Sequence, residues 1–166
     1  MRQGRSFRAL TADAQTRFHC LSGSPIQLYP PLASFLDEAG FPPGSMHLRE
    51  STSWRNLIPH ASVTRTHKLA VIEKLLADFP QRSFLLIGDS GESDPEVYAQ
   101  GLRTHPAQIE AIVIRDVTEE GRASARYRDT FRDLDAARWF ILQDGEAWPT
   151  TTPAPFNRSN LQTPKP

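Results

Sequence analysis

The stretch FLLIGDSGESDPEVY, residues 84–98, decides the fold. Four apolar residues, Phe84 to Ile87, run directly into Gly88 and an acid, Asp89; a loop of small residues leads to a second acid, Asp94, and Pro95 follows. A continuous apolar run of this length reads as a strand buried on both faces. Proline in a first turn with an aspartate before it reads as a helix start, with Asp94 as the cap. A buried strand that feeds straight into a helix is one step of a parallel α/β sheet.

Working outward, the same alternation recurs. Downstream, DPEVYAQGLRTHP (94–106) is a short helix and IEAIVIRDV (109–117) a second buried strand. The charged segment RYRDTFRDLDAA (126–137) has weak helical character, and RWFIL (138–142) closes the series as a strand. Upstream, THKLAVIEKLLADFP (66–80) carries an apolar stripe at Leu69, Ile72, Leu75 and Leu76, with Thr66 placed to cap it. RFHCLS (17–22) has the content of a short strand that ends at the Ser/Gly cluster SGSP, and SMHLRE (45–50) of a weaker one. Between them LYPPLASFLDEAG (28–40) has an apolar face of Leu32, Phe35 and Leu36, with Gly40 positioned to end it. Residues 51–66 are polar and irregular, with Trp54, Leu57 and Ile58 as apolar anchors. Three regions follow: a poorly defined segment 1–16, an α/β domain 17–145, and a Pro/Thr-rich tail 146–166 whose composition predicts disorder.

A chain of 166 residues has room for one real core. A formal net charge of zero offers no electrostatic footprint for nucleic acid. One cysteine, Cys20, excludes an internal disulfide and reads as a core filler. No run approaches the ~20 apolar residues that span a bilayer, and the basic N-terminus lacks the apolar segment of a secretory signal. The expected location is cytoplasmic, with peripheral membrane contact at most.

In open α/β sheets, ligands bind beyond the carboxyl ends of the strands. SGS, GDSGESD and RDV fall there. Asp89 and Asp94 are hard oxygen ligands that could hold Mg²⁺; the same residues could equally form an Asx turn with a helix cap. The Ser22 hydroxyl and the Gly23 N–H could take a phosphate oxygen, or make a structural turn. Lys68, in what reads as the first turn of its helix, works against the helix dipole and would suit a phosphoryl oxygen. Arg49 and Arg115, near strand ends, are further anion contacts. His67 is expected to face elsewhere, and the other histidines show no zinc spacing. Tyr98 and Trp54 read as packing residues, and the arginines between Arg122 and Arg138 as a solvated face.

The blocks SGSP, LY, GFPPG, HK, GDSGESDPE and IRDV, in this order across residues 17–117, resemble the catalytic domain of the actin-patch-associated phosphatidate phosphatases, within the haloacid-dehalogenase-like superfamily. The resemblance implies a Rossmann-like three-layer α/β fold with a mainly parallel sheet. It also implies Mg²⁺-dependent hydrolysis of phosphatidate to diacylglycerol and phosphate, with transient contact at a membrane surface. Residue by residue it implies Ser22 and Gly23 on the phosphate, Lys68 stabilising an aspartyl-phosphate, and Asp89 and Asp94 on the metal.

One departure matters more than the matches. The family's nucleophile and its general acid–base lie in an N-terminal DxDxT motif, and no DxDxT occurs in the 166 residues. Asp13, the only acid before Ser22, has neither the second aspartate nor the threonine. The expectation is a partial domain, N-terminally truncated, inactive as an isolated chain, and in need of a partner or missing segment to supply a central strand. The alternative is a non-catalytic remnant or binding module that keeps weak anion or metal affinity.

Overall fold

The computed structural model describes residues 16–50 and 61–143. The expected N-terminal segment up to residue 15, the stretch 51–60 with Trp54, Leu57 and Ile58, and the tail lie outside the described residues. In chain order the elements are β1 (Phe18–Pro25), a 3₁₀ turn (Ile26–Leu28), α1 (Tyr29–Glu38), β2 (Gly44–Arg49), α2 (Ala61–Asp78), β3 (Phe84–Asp89), α3 (Asp94–Thr104), β4 (Ile109–Arg115), α4 (Ala125–Phe131), a 3₁₀ turn (Ala136–Arg138) and β5 (Trp139–Leu142). Every strand pairing among the described residues is parallel. The fold is α/β with parallel sheets, as the alternation of patterns predicts.

The chain divides into two compact units, Met1–Val71 and Ile72–Pro166, with the boundary inside α2. In the first unit β1 pairs with β2, Phe18 opposite Gly44 and Leu21 opposite His47, with an irregularity before Pro25 meets Arg49. β1 therefore runs on to Pro25 and does not stop at Ser22, because its partner continues to Arg49 and keeps it extended. α1 starts with prolines in its first turn, where a missing N–H costs nothing. It ends as expected at Gly40, whose φ of 77° lets the Gly40 and Phe41 N–H groups reach back to Asp37 and Leu36. Of its expected apolar face, Leu32 and Leu36 are half-buried and Phe35 is 61% exposed; Ile26, Leu28 and Tyr29, just before it in the chain, are also open.

The second unit has the strand order β3-β4-β5. β4 is the central strand and is buried on both faces: Ile109, Ala111, Ile112, Val113 and Ile114 are closed to solvent. Val97, Ala99 and Leu102 of α3, with Tyr127 and Phe131 of α4, complete this core. Phe131 stacks on Trp139 at 4.6 Å. Of the α2 stripe, Ile72, Leu75 and Leu76 are buried as their spacing predicts, and Leu69 is half-buried. β3 differs from expectation: Phe84 to Gly88 are half-buried, not buried on both faces. Among the described residues β3 bonds to one neighbour only, β4, so its apolar composition exceeds the cover it receives.

Candidate functional site

The turn 89–94 is built by three local devices. The Asp89 Oδ1 accepts the Gly91 N–H at 2.9 Å, the Asx turn that lets the chain reverse after β3. The Asp94 carboxylate is 6% exposed and turns back onto the strand, its Oδ2 accepting the Asp89 N–H at 3.3 Å. Gly88 makes that reversal feasible: a Cβ there would stand 2.8 Å from the Asp94 Cβ and Cγ, inside any real carbon contact. Asp94 is thus not the cap of α3. Ser93 holds that position, and Asp94 sits in the first helical turn. Its carboxylate is committed to the strand end and to the Asp89 N–H, while keeping the favourable helix N-terminus beneath it. Asp89 itself is exposed. The structure brings these two predicted residues together on one turn at the carboxyl end of β3.

Ser22, Gly23 and Lys68 belong to the first unit. Ser22 is half-buried; its hydroxyl donates to the Ser24 Oγ at 3.0 Å and accepts the Ser24 N–H at 3.1 Å. Gly23 is a close-approach glycine, since a Cβ there would lie 2.6 Å from the Thr64 Cγ2 on α2. Lys68 lies one turn beyond Thr64 on the same helix face and is 5% exposed. α2 begins at Ala61, so residues 61–66 are helical and not irregular. Thr66 is not a cap: inside the helix its hydroxyl donates to the Ser62 carbonyl at 3.0 Å. Lys68 is therefore not in a first turn, and burial replaces the dipole as its distinguishing feature. A buried ammonium is kept only where oxygens neutralise it.

Other sequence expectations divide. Arg49 is buried and its Nε donates to the Gly23 carbonyl at 3.3 Å, which ties the end of β2 to the last residues of β1. Tyr98 packs as expected, its hydroxyl donating to the Ile87 carbonyl at 3.2 Å. Cys20 is half-buried and not part of the core, and burial pushes its thiol up. His67 turns inward rather than elsewhere. Burial and then the Arg49 charge push its imidazole down, against the pull of the His47 and Ser22 carbonyls, and its buried Nε2 has no hydrogen-bond partner among the described residues.

Two residues that matter here were missed by sequence reasoning. Asp116 follows β4 as Asp89 ends β3, one position after Arg115, which pairs with Asp89. It is fully buried. Its Oδ2 accepts the Gly121 N–H at 2.6 Å and the Gln143 amide at 3.1 Å. Its Oδ1 accepts the Tyr127 hydroxyl at 3.0 Å, Thr118 Oγ1 at 3.2 Å, and Ser90 Oγ and the Glu120 N–H at 3.3 Å each. Burial pushes this carboxyl up, but the donors led by the Gly121 N–H outweigh it and hold it below the ordinary carboxylate range. Its signal was present in RDV as an acid directly after an apolar run. Arg126, assigned to a solvated face, is half-buried and donates to the carbonyls of Ser90 and Glu92, both at 2.7 Å. Nothing local in the sequence marks it.

Two carboxylates on one turn suit Mg²⁺, which takes one or two protein carboxylates and completes its octahedron with water and phosphate oxygens. Among the described residues no group of three His, Cys, Asp or Glu side chains is disposed to hold a metal. The donor set therefore fits such an ion only with oxygens from elsewhere. A cleft of about 440 Å³ lined by Leu102, Arg103, Pro106, Asp133, Leu134, Asp135 and Arg138 lies at the opposite end of β4 and β5, before their first residues. Among the described residues no helix is long and apolar enough to cross a membrane.

Residues 2–116 match the family model described as phosphatidate phosphatase APP1, catalytic domain. The chain is 38% identical over 110 residues, 66% of its length, to the Saccharomyces cerevisiae protein named Phosphatidate phosphatase APP1. It is 34% identical over 116 residues, 69% of its length, to the Schizosaccharomyces pombe uncharacterized protein C29B5.04c. The matched part makes up 18% of each of these relatives. No solved structure matches. The matched residues include SGSP, Lys68 and the whole 89–94 turn, and the chain belongs to the family of phosphatidate phosphatase APP1 catalytic domains.

Proposed function

We propose that this chain carries the phosphate-binding and metal-binding residues of a haloacid-dehalogenase-like phosphatidate phosphatase, without its nucleophile. The observation that carries the reading is the 89–94 turn, where Asp94 is folded across Gly88 onto the Asp89 N–H. A plain helix cap would point its carboxylate forward, at the helix's own N–H groups. Family membership supports the substrate class, a phosphomonoester on a lipid.

In this reading Asp89 and Asp94 hold Mg²⁺, which would supply a positive centre for phosphate oxygens. Ser22 turns its hydroxyl proton from the Ser24 Oγ to a phosphate oxygen, and the Gly23 N–H donates beside it. Lys68 offsets the charge that builds on the phosphoryl group. No residue of the chain is assigned the attack on phosphorus, because the 166 residues hold no DxDxT. In the three-layer fold of the superfamily that motif ends a central strand, and the half-buried β3, with one neighbour among the described residues, supports a place for one. The exposed apolar side chains Ile26, Leu28, Tyr29 and Phe35 support a peripheral contact with a lipid surface.

The test is Mg²⁺-dependent phosphate release from phosphatidate vesicles by purified 1–166, against an Asp89→Asn control. The expected result is no release above the control. Clear release that the substitution abolishes would overturn the inactivity and require a different nucleophile. The second reading, a non-catalytic module with residual anion or metal affinity, is favoured by the same missing motif. The two readings part when a polypeptide carrying the DxDxT strand is added: restored turnover supports the phosphatase reading, and saturable phosphate or Mn²⁺ binding that stays without turnover supports the module.

A further inference from the structure

The turn that carries Asp89 and Asp94 is held from outside the strand–helix step that forms it. Arg126 on α4 uses all five of its N–H groups within the second unit. Nη1 donates to the Ser90 carbonyl at 2.7 Å and to the Glu120 Oε1 at 3.2 Å. Nη2 donates to the Glu92 carbonyl at 2.7 Å and to the Glu96 Oε2 at 3.1 Å, and Nε reaches the Glu96 Oε1 at 2.8 Å. The Ser90 carbonyl and the Gly91 N–H are the two ends of one planar peptide. Arg126 grips the carbonyl end. The other end donates to the Asp89 Oδ1 at 2.9 Å. A single hydrogen-bonded chain thus runs from the guanidinium through the peptide to the candidate metal ligand, and each link polarises the next. The helix that brings Arg126 is itself located by its neighbour Tyr127, whose hydroxyl donates to the buried Asp116.

We propose that Arg126, which lies beyond the residues matched by the family model, is a positioning residue for the metal turn and sets the orientation of the Asp89 carboxylate through the 90–91 peptide. The proposal rests on the reading of Asp89 and Asp94 as metal ligands. It implies that the segment after β4 completes the site rather than decorating it. It also implies that lysine cannot replace Arg126, because an ammonium has three donors and no planar fork to hold two carbonyls and a carboxylate together.

Two readouts on the purified chain test it: Mn²⁺ affinity from the free-ion electron paramagnetic resonance signal, and amide exchange at Gly91. Removing a positive charge near a cation site would by itself raise Mn²⁺ affinity, so a loss is the signature of positioning. The expected result is that Arg126→Met and Arg126→Lys each weaken Mn²⁺ binding at least fivefold and speed Gly91 exchange at least tenfold. Exchange in β4 should stay unchanged, and Arg128→Met, the exposed arginine on the same helix, should remain within twofold of wild type. Unchanged Gly91 exchange in Arg126→Met overturns the proposal, as does faster exchange with unaltered or tighter Mn²⁺ binding. If the wild type and Asp89→Asn bind Mn²⁺ equally poorly, the metal reading fails, and control of the turn by Arg126 is then decided by Gly91 exchange alone.

Discussion

Asp116→Asn tests whether a buried carboxylate, and not simply a polar residue, ties the second unit together. Asparagine has nearly the same shape, so packing is preserved and the change is electrostatic. The wild-type carboxylate accepts from six donors, four on Oδ1 and two on Oδ2. An amide must place its NH₂ on one of those sides. The hydroxyls of Ser90, Thr118 and Tyr127 can rotate and accept, and the Gln143 amide can flip. The backbone N–H of Gly121 or of Glu120 cannot, and one of them is left facing another donor. That conflict costs about 1–3 kcal/mol, and losing the charge weakens the surviving bonds by about 1 kcal/mol or more in total. The expected destabilisation is about 3 kcal/mol, which for a unit of about a hundred residues lowers the midpoint by roughly 12–15 °C. Thermal and urea unfolding followed by circular dichroism measures it. The pH dependence supplies an independent check. The folded carboxyl is held below its unfolded value, so its contribution is complete above an unfolded pKa of about 3.9 and is lost as pH falls through the lower folded value. Asp116→Asn should therefore cost most at neutral pH and least in strong acid. A loss under about 0.5 kcal/mol at pH 7, the size of an ordinary surface substitution, would refute the account of the network.

Two further outcomes follow from the same geometry. Gly88→Ala forces a methyl against the Asp94 side chain; it should cost about 1–3 kcal/mol by overpacking and weaken Mn²⁺ binding, and wild-type values in both melting and titration would show that Asp94 does not lie across the strand end. Asp133, held at about 2 by its hydrogen bonds to Arg103, contributes stability above its unfolded value of about 3.9 that is lost as pH falls toward 2. Because the pair is exposed, Asp133→Asn should flatten only that acid limb and barely move the neutral midpoint; a large neutral shift would contradict the exposure.

What the sequence makes legible here is whatever is written in consecutive residues. The apolar run before GDSGESD and the stripe at Ile72, Leu75 and Leu76 are local, and they specify parallel α/β structure because period and turn residues act over one element at a time. The same locality explains the misreadings. FLLIG and the AIVI run of β4 carry the same apolar signal, yet only β4 is flanked on both sides among the described residues, and no local pattern distinguishes a central strand from one with a single neighbour. Asp94 carries the signal of a helix cap, but Gly88 admits its side chain to the strand end, and that contact outweighs the capping preference. Thr66 fails as a cap for a related reason: α2 starts earlier, in residues whose polar composition hides a helix face set by what Gly23 and Thr64 pack against. Asp116 and Arg126 are the extreme cases. Their partners at Ser90 lie 26 and 36 residues away, so their roles exist only after the chain has folded. Ligand-bearing turns can be found from sequence because their chemistry requires several acids and glycines in a row; the residues that aim them need only converge in space. In this molecule, then, Arg126, the residue proposed to aim the candidate metal turn, carries no motif of its own and takes its place only through carbonyls that the fold brings to it.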